Sequence, residues 1–161
     1  MKGDPVRTRT FSEIVNKEDP RIEAVGCIDE ANAFIGLAKV KSEGETREIL
    51  KEIQRKMFKA GSEVVGGRLK ITEEDLNEIL EIIRELEGTV EYPKRFIILE
   101  RDELTSLLSV ARSVVRRAER SVVSLYNRGL VSLTLVEWLN KLSYLLYLLI
   151  LKELNGQFEE I

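Results

Sequence analysis

Arg112, Arg116, Glu119 and Arg120 stand at i, i+4, i+7 and i+8, with Arg117 beside them. On an α-helix that spacing gathers the four on one face. Aligned guanidiniums repel one another unless an anion lies among them, and their planar forks suit carboxylates and phosphates. The pattern therefore admits an oxyanion site, and it also admits a solvated face on which Arg116 pairs with Glu119. Two other stretches place polar residues where helices do not favour them. Gly26, Asn32 and Gly36 interrupt a helix-forming segment that carries Asp29 and Glu30; close helix packing would explain the glycines, with both acids facing water. Asn140 lies in an apolar run beside Leu139 and Leu142, where it either satisfies a backbone group or water or touches a ligand.

Composition narrows the chemistry further. Histidine is absent, which excludes Ser-His-Asp and Cys-His nucleophiles, zinc sites that need imidazole, and the Glu-x-x-His di-iron bundle. The lone Cys27 can form neither an internal disulfide nor a Cys-only zinc site and suits a reducing cytoplasm. Lys plus Arg number 25 against 28 Asp plus Glu, a formal net charge of -3, which disfavours a globally basic nucleic-acid binder. Residues 1–10 hold no apolar stretch for a signal peptide. The greasiest run, residues 145–151, is far shorter than the roughly 20 residues of a membrane span. A cytoplasmic protein with no nucleic-acid or membrane partner is expected.

The 161 residues fit one domain. Prolines at 5, 20 and 93 and scattered glycines cut the chain into pieces long enough for helices. A first helix should follow Pro20, with Ile22, Val25, Ile28, Ala31 and Ile35 at three- and four-residue steps. A second follows Gly44 and frays toward Gly66 and Gly67. Thr72 reads as the N-cap of a third, with acids in its first turn and Gly88 at its end. Residues 89–100 read as a structured loop packed on the bundle. A fourth helix runs from Asp102 to about Arg128, and Ser132 or Thr134 caps a fifth whose apolar residues exceed one stripe. The fold expected is all-α: an up-down five-helix bundle over residues 20–161, preceded by a segment of residues 1–19.

The order and separation of three segments resemble the PduO-type ATP:cob(I)alamin adenosyltransferases across residues 17–152. The first is Pro20-Arg21-Ile22-Glu23-Ala24 leading into Ile28-Asp29-Glu30-Ala31-Asn32-Ala33-Phe34-Ile35-Gly36. The second is Ala111-Arg112 leading into Arg116-Arg117-Ala118-Glu119-Arg120, and the third is Leu139-Asn140-Lys141-Leu142-Ser143. The resemblance implies a homotrimer with active sites between subunits. It implies transfer of the 5′-deoxyadenosyl group of ATP to reduced cobalamin, with Mg²⁺ on the phosphates and a reductase supplying cobalt(I). Reduced cobalt is itself the nucleophile in that reaction, so the missing histidine costs nothing.

By the same resemblance, Arg116 and Glu119 are the catalytic residues, and Arg116, Arg117, Glu119, Arg120 and Asn140 bind ATP. Lys17 holds the outer phosphates, with Thr8 and Thr10 in the N-terminal nucleotide loop. Phe96 shapes the cobalamin side and helps exclude cobalt's lower ligand, and Asp29 with Arg112 forms an ion pair across the subunit interface. The sequence departs from the family pattern at several places. The N-terminal loop has few glycines and a proline, Glu100-Arg101-Asp102 replaces a Pro-Gly-Gly, Ser109 stands where a histidine is common, and Tyr144 replaces an Asp. The alternative is a family member that binds ATP or corrinoid without turnover.

Overall fold

The computed structural model describes residues 3–161. Met1 and Lys2, the first residues of the expected nucleotide-loop segment, lie outside the described residues. Five helices carry the fold: α1 (Pro20–Lys41), α2 (Gly44–Val64), α3 (Glu73–Glu87), α4 (Glu103–Tyr126) and α5 (Leu133–Leu154). Their starts follow local chemistry. Asp19 caps α1 by accepting the Arg21 N–H at 2.9 Å, and Pro20 sits in the first turn, where a missing N–H is harmless. Thr72 with Asp75, and Asp102 with Thr105, form reciprocal capping boxes on α3 and α4. Of the two candidate caps for α5 the structure uses Ser132, which accepts the Leu135 N–H at 3.1 Å. Thr134 instead donates to Glu73 on α3 at 2.5 Å.

Side-chain links between helices fix their directions. Lys41 at the end of α1 meets Glu103 at the start of α4, so these two run antiparallel. Thr46 near the start of α2 meets Glu153 near the end of α5 at 2.6 Å, and Glu63 near the end of α2 accepts from Ser132 before α5 at 2.9 Å. Lys56 and Lys59 of α2 bind Asp75 in the first turn of α3. Glu73 of α3 lies beside Thr134 of α5, so those two helices run parallel. The result is the up-down-up-down-up order expected from short connections. We call the end where α1 starts the lower end and the end where α1 finishes the upper end.

The core is apolar: α5 packs against α3 and α4, and α1 packs on α4 and α2. Residues Leu148, Leu149, Ile150 and Leu151 are all fully buried, although four successive positions circle the helix. Among the described residues α5 is the one helix long and apolar enough to cross a membrane, a longer apolar stretch than the 145–151 run suggests. Its neighbours cover it, so that apolarity fills a core. Tight approach explains one of the α1 glycines: a Cβ at Gly36 would lie 2.8 Å from Gln54 Nε2 of α2. Gly26 has nothing within 4 Å.

Two strand pairs add to the expected helices. β1 (Arg7–Arg9) and β2 (Ile14–Asn16) form an antiparallel hairpin at the lower end, with Thr8 opposite Val15. β3 (Ile97–Ile98) pairs antiparallel with β4 (Glu159–Glu160) at the upper end. Residues 89–100 are thus anchored by the chain's last residues as well as by the bundle. Strands of two residues have no periodicity to read, which is why this pairing escapes a sequence pattern.

Candidate functional site

Helix α4 presents the arginine face, and α1 and α5 supply its flanks. Glu119 is half-buried and accepts from Asn140 Nδ2 of α5 at 3.0 Å. The Arg116–Glu119 pairing of a plain solvated face is absent among the described residues. Arg117 turns the other way and forms an ion pair with Glu30 of α1. Arg116 and Arg120 are exposed, and neither has a side-chain hydrogen bond or ion pair among the described residues. Arg112 lies with its guanidinium 5.7 Å from the centre of the Tyr147 ring, a cation–π distance. Burial, and then the positive charge of Arg116, push the Arg112 guanidinium below its ordinary value. The face therefore holds positive charge in excess, with its one carboxylate already committed to an amide.

At the lower end the N-terminal hairpin leads into α1. Asp19 is gripped by the Arg21 guanidinium at 2.9 Å, and Arg21 also reaches Glu13 of the hairpin at 2.9 Å. The hydrogen bond from Arg21 is the main cause that holds the Asp19 carboxyl down to about 2. Lys17 is exposed, directly after β2, and its backbone N–H donates to Val6 O at 2.9 Å. Thr8 is half-buried on β1. The Thr10 hydroxyl is spent on the turn, donating to Glu13 O at 3.1 Å and accepting the Glu13 N–H at 3.2 Å. Thr8, Thr10, Phe11, Ile22 and Val25 line a cleft of about 450 Å³. That cleft opens beside the hairpin, whereas the α4 arginines form an open surface.

Asp29 and Arg112 do not meet within one chain. Asp29 is exposed and borders a cleft of about 350 Å³ shared with Met57, Phe58 and Gly61 of α2. Arg112 faces α5, on the other flank. Phe96 stands at the upper end beside β3 with 87% of its surface exposed. Near it Tyr92 and Tyr144 bring their hydroxyls to 3.4 Å, and Tyr144 donates to Glu87 at 2.9 Å. The Tyr92 bond, then burial and Glu87, hold the Tyr144 phenol well above the usual range. Ser109 donates to Glu100, the first of the three charged residues after the Phe96 loop. No group of three or more Cys, Asp or Glu placed to hold a metal ion occurs among the described residues.

Sequence reasoning missed Glu30 and Tyr147, the partners that turn Arg117 away from the face and seat Arg112. Glu30 lies 87 residues from Arg117, and no local spacing signals a pairing of that range. Tyr147 carried a weak signal, as one ring within the greasiest run of the chain.

Comparison with known proteins bears on the whole arrangement. The family model described as "Cobalamin adenosyltransferase" matches residues 1–153. A corrinoid adenosyltransferase of Bacillus subtilis is 34% identical over 151 residues, covering 88% of this chain and 78% of that protein. One of Mycobacterium tuberculosis is 37% identical over 151 residues, covering 84% of this chain and 76% of its own length. A variant PduO-type ATP:corrinoid adenosyltransferase from Lactobacillus reuteri, solved with cobalamin and ATP, superposes with a TM-score of 0.87 at 27% identity, covering 99% of this chain and 92% of that one. With the five-helix bundle, the arginine face of α4 and a family match over nearly the full length, the chain belongs to the cobalamin adenosyltransferase family.

Proposed function

We propose that the protein transfers the 5′-deoxyadenosyl group of ATP to cob(I)alamin, the activity of its family, from a site on the α4 face. One observation carries the assignment to these residues: Arg116 and Arg120 are uncompensated among the described residues, while Glu119 between them is held by Asn140. In the reaction the cobalt(I) electron pair forms a Co–C5′ bond as the C5′–O bond breaks, and those electrons leave with triphosphate. The protein must stabilise the charge that gathers on the leaving phosphates and hold both substrates in line. Arg116 and Arg120 supply that charge, and Glu119 fixes the Arg orientation. Arg117, paired with Glu30, stiffens the face at its edge. Asn140 keeps its carbonyl oxygen for the nucleotide while its amide group donates to Glu119.

Residues 1–19 serve as the nucleotide-loop segment of a single domain. Lys17 holds the outer phosphates and Thr8 borders them. Thr10 acts through its backbone, because its hydroxyl already closes the turn. Magnesium fits as a companion of the nucleotide, carried on phosphate oxygens; the described residues supply no acidic cluster to hold it. Phe96, exposed and apolar, faces the corrinoid and disfavours cobalt's lower ligand, which eases reduction by a separate reductase. Asp29 and Arg112 lie on opposite flanks, as suits a pair made between neighbouring copies in a cytoplasmic homotrimer.

Binding without turnover is favoured by one feature, the commitment of the Thr10 hydroxyl within a glycine-poor hairpin. Anaerobic incubation with ATP, Mg²⁺ and chemically reduced cobalamin separates the two readings. Appearance of the alkylcobalamin spectrum with equimolar triphosphate is the expected result. ATP binding by calorimetry with no alkylated product would establish the binder.

A further inference from the structure

The loop that carries Phe96 is fastened along its backbone while its aromatic ring stays free. Ile161 donates its N–H to the Phe96 carbonyl at 2.8 Å, and β3 pairs with β4 directly after Phe96. Arg101, which stands where the family pattern has small residues, closes the other side. Its Nη2 donates to Glu153 O at 2.7 Å and its Nη1 to Leu154 O at 3.0 Å, where it joins the Gln157 N–H, so it ties down the last carbonyls of α5. Its backbone N–H donates to Thr105 Oγ1 at 2.9 Å, and its guanidinium also bonds Asp102, the cap of α4. One side chain thus locks the end of α5 to the start of α4. The tail turns from α5 into β4 through Gly156 at φ +76°, where a Cβ would strike the Glu91 carboxylate.

We propose that Arg101 is a positioning residue for the corrinoid reaction, and that with the tail of residues 155–161 it forms a strap holding the Phe96 backbone so that the ring presses on the corrinoid. The inference rests on the assignment of Phe96 to the corrin side. A phenyl ring can displace a cobalt ligand only if its own backbone does not yield. The ring is 87% exposed and gains no support from the core, so its stiffness comes from the bond at its own carbonyl and the β3–β4 pairing that follows it.

Four variants test the strap: Arg101→Ala, Arg101→Lys, a chain ended after Phe158, and Phe96→Ala. The first readout is amide hydrogen exchange at residues 96–98 in the free protein. The second is the fraction of cob(II)alamin that loses its lower ligand at saturating ATP, followed by absorption and electron paramagnetic resonance. ATP affinity is measured by calorimetry. Arg101→Ala and the shortened chain should each speed exchange and lower the ligand-free fraction about tenfold, the scale of one or two net hydrogen bonds, with ATP affinity unchanged. Arg101→Lys keeps a charge at the helix end without the two-pronged grip, so it should restore the melting temperature and leave the cobalt signal low. Unchanged exchange in both strap variants overturns the positioning role whatever Phe96 does. Faster exchange with a normal cobalt signal overturns it too when Phe96→Ala abolishes that signal. A normal signal in Phe96→Ala overturns the corrin-side assignment and the strap's purpose with it.

Discussion

The two ends of the bundle are braced by different chemistry. At the lower end the braces are carboxylates: Asp19 gripped by Arg21, Glu13 reached by the same guanidinium, and Glu63 with 4% exposure accepting the N–H groups of Ile71 and Ser132 at 3.1 and 2.9 Å. At the upper end main-chain bonds and an arginine on helix carbonyls stand beside the Lys41–Glu103 ion pair and the Thr46–Glu153 bond. The Asp19 brace weakens in acid, because the Arg21 bond favours its charged form. Main-chain braces carry no titrating group, so the pairing of β3 with β4 does not itself depend on pH. The contrast lies in what ties down the added segment at each end: the hairpin is joined to α1 through the Asp19, Arg21 and Glu13 charges, and the Phe96 loop is held to the tail by backbone pairing.

Arg116→Ala breaks the comparison most sharply. It removes a charge-assisted contact worth about 1.5–3 kcal/mol, which lowers ATP affinity about ten- to a hundredfold. With the corrinoid against Phe96, as proposed, cob(II)alamin affinity should stay unchanged in the same titrations. Equal loss of both ligands would show that the ends do not act separately.

Asp19→Ala comes next, costing about 1–2 kcal/mol through the lost cap of α1, measured by denaturant unfolding. The acid dependence follows from the same residue. The Asp19 carboxyl is held down to about 2 from an ordinary 3.8, so the folded state favours its charged form. That stabilisation is fully present above the unfolded value and is lost as pH falls through the folded one. Between about pH 4 and pH 2 the parent protein should therefore lose more stability than Asp19→Ala, and parallel curves would remove Asp19 as an acid-sensitive brace.

The smallest effect sharpens the upper end. Gly156→Ala forces an L side chain into a left-handed backbone and against Glu91, at a cost of about 1 kcal/mol. The loss should be flat with pH in thermal melts, since no titrating bond is broken by design. A loss that grows in acid would show that this turn leans on the charged contacts of the upper end.

The helices were legible because burial imposes a period. Leu76, Ile79, Ile83 and Leu86 are buried on α3 at the steps that a single covered face requires, and Thr72 marks the start by its cap. The α4 face was legible as a set of residues but not as a set of bonds. Glu119 turns to Asn140 across a helix pair, and Arg117 turns to Glu30, because helix directions decide which polar groups face each other. Arg101 had no readable role from its position alone. Its partners are carbonyls at the far end of the chain, which carry no residue identity to recognise.

The place of α5 between α3 and α4 constrains how the molecule is made. A domain generally folds as a unit as its chain leaves the ribosome. Here the helix that joins α3 to α4 is the last of the five to emerge, so the greasy faces of those two that it covers must wait uncovered. A newborn chain halted before Leu133 lacks the helix that joins α3 to α4, and it stays open to chaperones and to clumping until that helix slides home.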